Sequence, residues 1–388
     1  MKQSIFLTIA LLMASLTAIA HDFEVDGIYY NINGNEAAVT YRGTFAFQYD
    51  EYTGDAVIPE SVTYDGVTYP VTTIGHSAFE GCSGMTSITI GSSVTSILER
   101  AFYGCYNLDR VNITDLAAWC KIDFVYFDEE FQSFVRPDDT SPFVYANHLY
   151  LNGEEVKDLV IPATVTSINN GAFYCCEGLT SVYFPSSVTT IGVQAFAGCK
   201  GLADVTFSNS ISFGLQAFEG CSNLTSLILP AYGSGIGILA FGCCENLTTL
   251  IIPNAPIAFA YDAFSCCLNL REVYCYITDP SEIWTEGNPF NNNDPDYDYS
   301  GCTLYVPVGA VEAYRNDSRW TECFGNIVAM GDVDDNGVVG VNDVTMLIDI
   351  LMGNVSGDYS ARMADYDHDG NVTIADVVAL IDALLASN

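Results

Sequence analysis

The sequence predicts a repeat solenoid followed by a small α-helical, cation-binding domain. The block Ala78-Phe79-Glu80-Gly81-Cys82 recurs as an AFxxC motif, with further copies beginning at Ala101, Ala172, Ala195, Ala217, Ala240 and Ala263. Neighbouring copies lie 22 or 23 residues apart, except across one gap of 71. A fixed period in this range marks a solenoid, because one such coil cannot bury its apolar face alone and stacks on its neighbours. Near the C-terminus, two Asp-rich stretches 33 residues apart each run into an amphipathic segment.

Residues 1–20 read as a secretory signal. Lys2 supplies a positive start, Ile5 to Leu16 is apolar but too short to span a bilayer, and Ala18-Ile19-Ala20 is a small-x-small cleavage site before His21. No cysteine follows that site, which argues against a lipid anchor. The mature protein is expected to be secreted or held at the cell surface, without inserting in a membrane.

The 388 residues carry a formal net charge of −36, from 48 acidic and 12 basic residues. Such a chain repels phosphate backbones and anionic lipid, which excludes nucleic-acid binding. Hydrophobic residues at 49% and aromatics at 13% exclude wholesale disorder.

Of the 14 cysteines, Cys82, Cys105, Cys176, Cys199, Cys221, Cys244 and Cys267 occupy one repeat position. Equivalent positions in a solenoid stack in register and point the same way, which suits packing of reduced thiols better than bridging. Cys175, Cys243 and Cys266 precede three of these and point elsewhere, so a Cys243–Cys266 bridge stays open. No histidine accompanies the cysteines, which disfavours a thiolate metal site.

Residues 21–56 lack the repeat and read as a β cap, with strands around Gly27–Tyr30 and Ala37–Tyr41 joined by Asn33-Gly34-Asn35. The solenoid is assigned to residues 57–330. In the coil from Cys176 to Phe196, Leu179, Val182 and Phe184 are the spaced apolar positions of a short strand, alternating with Ser181 and Tyr183. Pro185 ends that strand, Val188 and Ile191 form a second buried edge, and Ala195-Phe196 fills the return path. Gly before the repeat-position cysteine fits a tight turn.

The pattern CxxLxxVxIPxSVTxIGxxAFxGC resembles the BspA-type leucine-rich repeat, a class first seen in treponemal surface proteins. The resemblance implies a curved right-handed solenoid with a parallel sheet on its concave face. It also implies an exported bacterial surface protein engaged in adhesion. Residues 114–158 interrupt the period, either as degenerate coils or as a protruding island. Residues 276–330 read as a C-terminal cap, with Trp320 and Phe324 sealing the last coil.

In residues 331–388, Asp332-Val333-Asp334-Asp335-Asn336-Gly337 is followed by Asp343, and Asp365-Tyr366-Asp367-His368-Asp369-Gly370 by Asp376. Each loop offers oxygens at positions 1, 3 and 5, a Gly at 6 and a carboxylate at 12, the spacing of a calcium loop. Val344, Leu347, Ile348 and Leu351, and then Val377, Leu380, Ile381 and Leu384, recur at helical spacing. Residues 331–386 resemble a type I dockerin domain, with Asp rather than Glu at the twelfth position. That resemblance implies two calcium ions. Asp332, Asp334, Asn336, Asp343 and the carbonyl of Val338 would hold one, and Asp365, Asp367, Asp369, Asp376 and the carbonyl of Asn371 the other. It also implies a cohesin-like partner, although loop positions 10 and 11 hold Val341-Asn342 and Ile374-Ala375 where well-studied dockerins often carry Ser-Thr.

No catalytic triad, phosphate loop, zinc motif or dinucleotide fingerprint is present, so no enzyme activity is expected. The candidate ligand face is the outward side of the sheet: Ser87, Thr89, Arg110, Asn112, Ser181, Tyr183, Asp204, Thr206, Ser226, Thr249, Glu272 and Tyr274. A protein or glycan ligand there makes the chain a binding or adhesion scaffold. The alternative is an accessory or structural part of an extracellular polysaccharide-degrading complex.

Overall fold

The computed structural model describes residues 21–43, 52–122, 124, 126–128, 133–135, 137–231, 234–290, 299–334, 336–354, 361–366 and 371–386. The signal segment 1–20, and Asp367 and Asp369 of the second loop, lie outside the described residues. The chain divides into two compact units, Met1–Leu202 with Gly214–Cys221, and Ala203–Phe213 with Ser222–Asn388.

In the first unit, Phe23–Val25, Ile28–Asn33 and Glu36–Thr40 form an antiparallel meander. Glu36–Thr40 then pairs parallel with Val67–Ile74, so the meander passes directly into the repeat's own hydrogen bonding. Gly54–Ile58, Met85–Ile90, Arg110–Ile113 and His148–Leu151 form a parallel ladder. Asp158–Val160 and Ser181–Phe184 pair in the same sense. Burial alternates along Ser181–Phe184, with Val182 and Phe184 inside and Tyr183 exposed, as a period of two requires.

The long gap in the motif holds one coil of altered sequence. His148–Leu151 supplies its rung on the sheet. Cys120 takes the place of a regular second edge, its carbonyl accepting from the Asn169 N–H at 2.9 Å. Trp119 fills the interior and donates its Nε1 proton to the Ala172 carbonyl at 2.8 Å. The Leu149 to Glu154 hairpin turns at Asn152-Gly153, and its return strand Glu154–Glu155 pairs antiparallel as the edge of the same sheet.

Each coil is filled by its motif Phe. Phe173, Phe196 and Phe218 stack with ring centroids 4.9 and 5.1 Å apart. All seven repeat-position cysteines are buried. Sγ of Cys105, Cys199, Cys221 and Cys267 donates to the carbonyl of the motif Phe one coil back, at 3.1 to 3.4 Å. The turn before that cysteine demands a left-handed residue. Gly81, Gly104, Gly198 and Gly220 meet it with φ between 71° and 80°. Where Gly is missing, Cys175, Cys243 and Cys266 adopt the same conformation at φ 61°, 54° and 60°.

In the second unit, Ser226–Ile228, Thr249–Ile252, Glu272–Cys275, Thr303–Val306 and Asn326–Ala329 form a parallel sheet in strict register. A narrower ladder of Ser212–Phe213, Ser234–Ile236, Ile257–Phe259 and Ile283–Thr285 forms the other edge. This unit has a Phe column through Phe241, Phe264 and Phe290, although Asn288-Pro289-Phe290 lacks the motif. Trp320 and Phe324 close it against Phe290. Three helices follow in the described residues, Val341–Leu351, the short Ala361–Ala364 and Ile374–Ala386, and pack against the sheet through a core of Tyr274, Met330, Val333, Leu347, Met363, Ala364, Val377 and Leu380. Among the described residues, no helix is long and apolar enough to cross a membrane.

Candidate functional site

The first Asp-rich loop brings carboxylate oxygens of Asp332, Asp334 and Asp343 within 4.8 Å of one another. The backbone holds them there. Asp332 Oδ1 accepts from the Asn336 N–H at 3.0 Å, and Oδ2 from the Gly337 N–H at 2.7 Å. Asp343 is fully buried. Its Oδ1 accepts from the Val333 and Asp334 N–H groups at 2.7 and 3.2 Å, and its Oδ2 from the Gly340 N–H at 2.7 Å. It thereby binds the loop to the first turn of the Val341–Leu351 helix, where a carboxylate is favoured. Burial pushes the Asp332 carboxyl above its ordinary range, helped by the negative charges of Asp343 and Asp334 and opposed by the Gly337 and Asn336 N–H groups. A divalent cation would relieve both effects. Asn336 Oδ1 is turned to the Val338 N–H at 2.8 Å. Val338 and Asn371 are exposed.

The second loop repeats the anchor. Asp376 is fully buried and its Oδ2 accepts from the Thr373 N–H at 2.7 Å, 33 residues on from the Asp343–Gly340 bond. Asp365 is half-buried at the loop's start.

Most proposed face residues do lie on the outward side of the sheet. Ser87 and Arg110 stand in one column with Asp55 and His148, and Thr89 and Asn112 in the next with Val57 and Tyr150. Asp55 accepts from Ser87 Oγ at 2.6 Å and Thr86 Oγ1 at 3.2 Å, which lowers its pKa. Asp158 makes the equivalent pair with Ser181 Oγ at 2.6 Å. Tyr183, Asp204, Thr206 and Ser226 are exposed, while Thr249 and Glu272 are half-buried.

Tyr274 is a correction. It faces outward from its coil, but it is only 1% exposed, because the C-terminal helices cover it. Its ring stacks on Tyr305 at 4.6 Å. It belongs to a core, not to an open ligand face.

The family model of the BspA type leucine rich repeat region matches residues 40–124 and 146–271 in six copies, more than half of the chain. The chain belongs to the BspA-type leucine-rich repeat family. It is similar to a leucine-rich repeat protein from Bacteroides ovatus, at 23% identity over 74% of this chain and 71% of that one, with a TM-score of 0.45. It is also similar to a leucine rich cell surface protein from Faecalibacterium prausnitzii, at 20% identity over 80% and 95%, with a TM-score of 0.41. A leucine rich repeat protein from T. pallidum shares 19% identity over 68% and 86%, with a TM-score of 0.27. No curated protein matches the chain at a significant level.

In this BspA-type chain, sequence reasoning missed Tyr276, Tyr305 and Tyr366 as the residues that seat the C-terminal helices. The signal was available. The outward positions Ile228, Ile251, Tyr274, Tyr305 and Val328 are apolar in five successive rungs, where the earlier column mixes Val57, Tyr150 and Tyr183 with Thr89, Asn112 and Thr206. Of the apolar residues that recur at helical spacing, Ile348, Leu351 and Ile381 are exposed. Leu347 and Leu380 alone among them are fully buried, since each helix packs on one narrow line.

Proposed function

We propose that the protein is an exported, non-catalytic binding or adhesion scaffold. Its sheet face contacts a protein or glycan ligand. Its dockerin-like C-terminal domain takes up two calcium ions and docks to a cohesin-like partner. Membership of the BspA-type family supports the scaffold half.

One observation carries the docking half. With their buried lines turned to the sheet, the two longer helices leave matching apolar stripes exposed. Val341, Ile348 and Met352 form one, and Ile374, Ile381 and Leu385, each 33 residues later, form the other. Val341 is 78% exposed and Ile374 is 68% exposed, where a small soluble unit would ordinarily carry polar residues. A partner groove that accepts an amphipathic helix suits such a stripe.

The test is a printed array of glycans and extracellular-matrix proteins, probed with the full chain in calcium. A Ser181→Ala and Tyr183→Ala double variant is expected to lose most of the array signal. Undiminished binding by that variant excludes this face as the ligand surface, and an array with no signal removes the adhesion reading.

A further inference from the structure

The five strands of the second unit's wider sheet carry two outward columns. One reads Ser226, Thr249, Glu272, Thr303 and Asn326, and the other Ile228, Ile251, Tyr274, Tyr305 and Val328. In-register parallel strands set equivalent residues above one another, so the second column is a continuous apolar ridge. Left open to water, a ridge of that kind marks an interaction surface. Its middle is not open. Tyr274 lies in one core with Leu347, Met363, Val377 and Leu380, and Ile251, Tyr276 and Tyr305 pack against that core. Ile228, at the end of the ridge, stays 55% exposed.

We infer that this apolar column is an interaction surface whose resting occupant is the chain's own C-terminal helical unit, and that calcium in the first Asp-rich loop holds the unit in its seat. The inference rests on the calcium reading proposed above. Both loops touch the seat directly. Tyr366, second residue of the second loop, accepts a hydrogen bond at its carbonyl from the Tyr276 hydroxyl at 3.1 Å. Gly331, at the entrance to the first loop, has φ +88°, and a Cβ there would lie 2.6 Å from Leu380 Cδ1 and 3.0 Å from the Tyr366 ring. A cavity of about 570 Å³ is lined by Asp332, Asn336 and Gly337 of the first loop and by Thr303, Tyr305 and Asn326 of the sheet. The loop that would hold the ion is therefore a wall of the seat.

The energetics point the same way. Residues 331–388 contain eleven Asp and one basic residue, Arg362. Without a cation, the three carboxylates gathered within 4.8 Å repel one another. Helices of 11 and 13 residues are marginal without a core to pack on. Loosening of that loop frees Gly331, and with it the contacts that keep Leu380 over Tyr274. The ridge is then open to an apolar partner. The stripes through Val341 and Ile374 are exposed in the seated state, so external docking does not require release of the cover.

Hydroxyl-radical footprinting of the full chain, read by mass spectrometry with calcium and with chelator, tests this. Oxidation of Tyr274 is expected to rise about ten-fold or more on chelation, the signature of local opening. Tyr30, buried in the other unit, is expected to stay unchanged and reports that the fold persists. Leu380→Asp is expected to expose Tyr274 even in calcium. Calcium calorimetry on the same sample separates the two claims. Calcium uptake with Tyr274 equally protected in both conditions overturns the cover and leaves the ion reading standing. No uptake overturns both. Protection of Tyr274 in Leu380→Asp contradicts the seat itself.

Discussion

The Tyr276 hydroxyl donates a 3.1 Å hydrogen bond to the Tyr366 carbonyl, joining the end of a solenoid strand to a residue 90 positions later in the C-terminal unit. The bond is partly shielded from solvent and has a neutral donor and acceptor. Tyr276→Phe is expected to cost the full chain about 0.5–1.5 kcal/mol, measured by chemical denaturation. No change in midpoint would show that the two elements touch without supporting each other.

Phe196 is fully buried between Phe173 and Phe218, with Phe184 edge-on at 5.5 Å. Phe196→Ala is expected to destabilise by about 3–5 kcal/mol, the cost of a large aromatic truncation in a packed core. Thr206, exposed on the sheet, should lose under about 1 kcal/mol as Thr206→Ala. Equal losses for the two variants would mean that the inward and outward assignments are wrong.

The left-handed turn before the repeat-position cysteine separates two further variants. Gly198→Ala forces a Cβ to 2.9 Å from Cys175 Sγ at φ +73°, and is expected to cost about 1–2 kcal/mol or more. Cys243→Gly places the preferred residue at φ 54°, and is expected to change stability by less than about 1 kcal/mol. Thermal melts of both decide the point. A larger loss from Cys243→Gly than from Gly198→Ala would show that the cysteine side chain matters more than the turn.

All fourteen cysteines are thiols, and burial pushes Cys120, Cys302 and Cys323 up to about 12 and Cys275 to about 11. Cys199 is driven well above its ordinary value by the same cause. Only the thiolate reacts, so the folded protein should show few reactive groups at neutral pH. Denaturant should release at least the seven repeat-position thiols. Mass-mapped disulfides between consecutive members of that column would contradict this.

Alternation made the coil legible in sequence. Val182 and Phe184 could be told from Tyr183 because a strand has a period of two. The same rule misplaced Tyr274, because alternation separates the inside of a coil from its outside but does not say what lies on the outside. Phe290 was missed as a column member, since Asn288-Pro289-Phe290 keeps the ring and drops the motif. The adjacent cysteines were read by their chemistry, whereas a backbone requirement for positive φ explains where they stand. Both Asp anchors were legible because Asp343 and Asp376 fall three residues into helices marked by their own apolar periodicity. The buried faces of those helices were only half legible, because the surface they meet is set by Ile251, Tyr274 and Tyr305 on strands far upstream.

Calcium titration of the full chain by calorimetry tests the central claim most directly. The ligand spacing predicts uptake of two ions, with Asp334→Ala removing one binding event and Asp367→Ala the other. A full-chain sample that takes up no calcium, or variants that retain both events, would contradict the account.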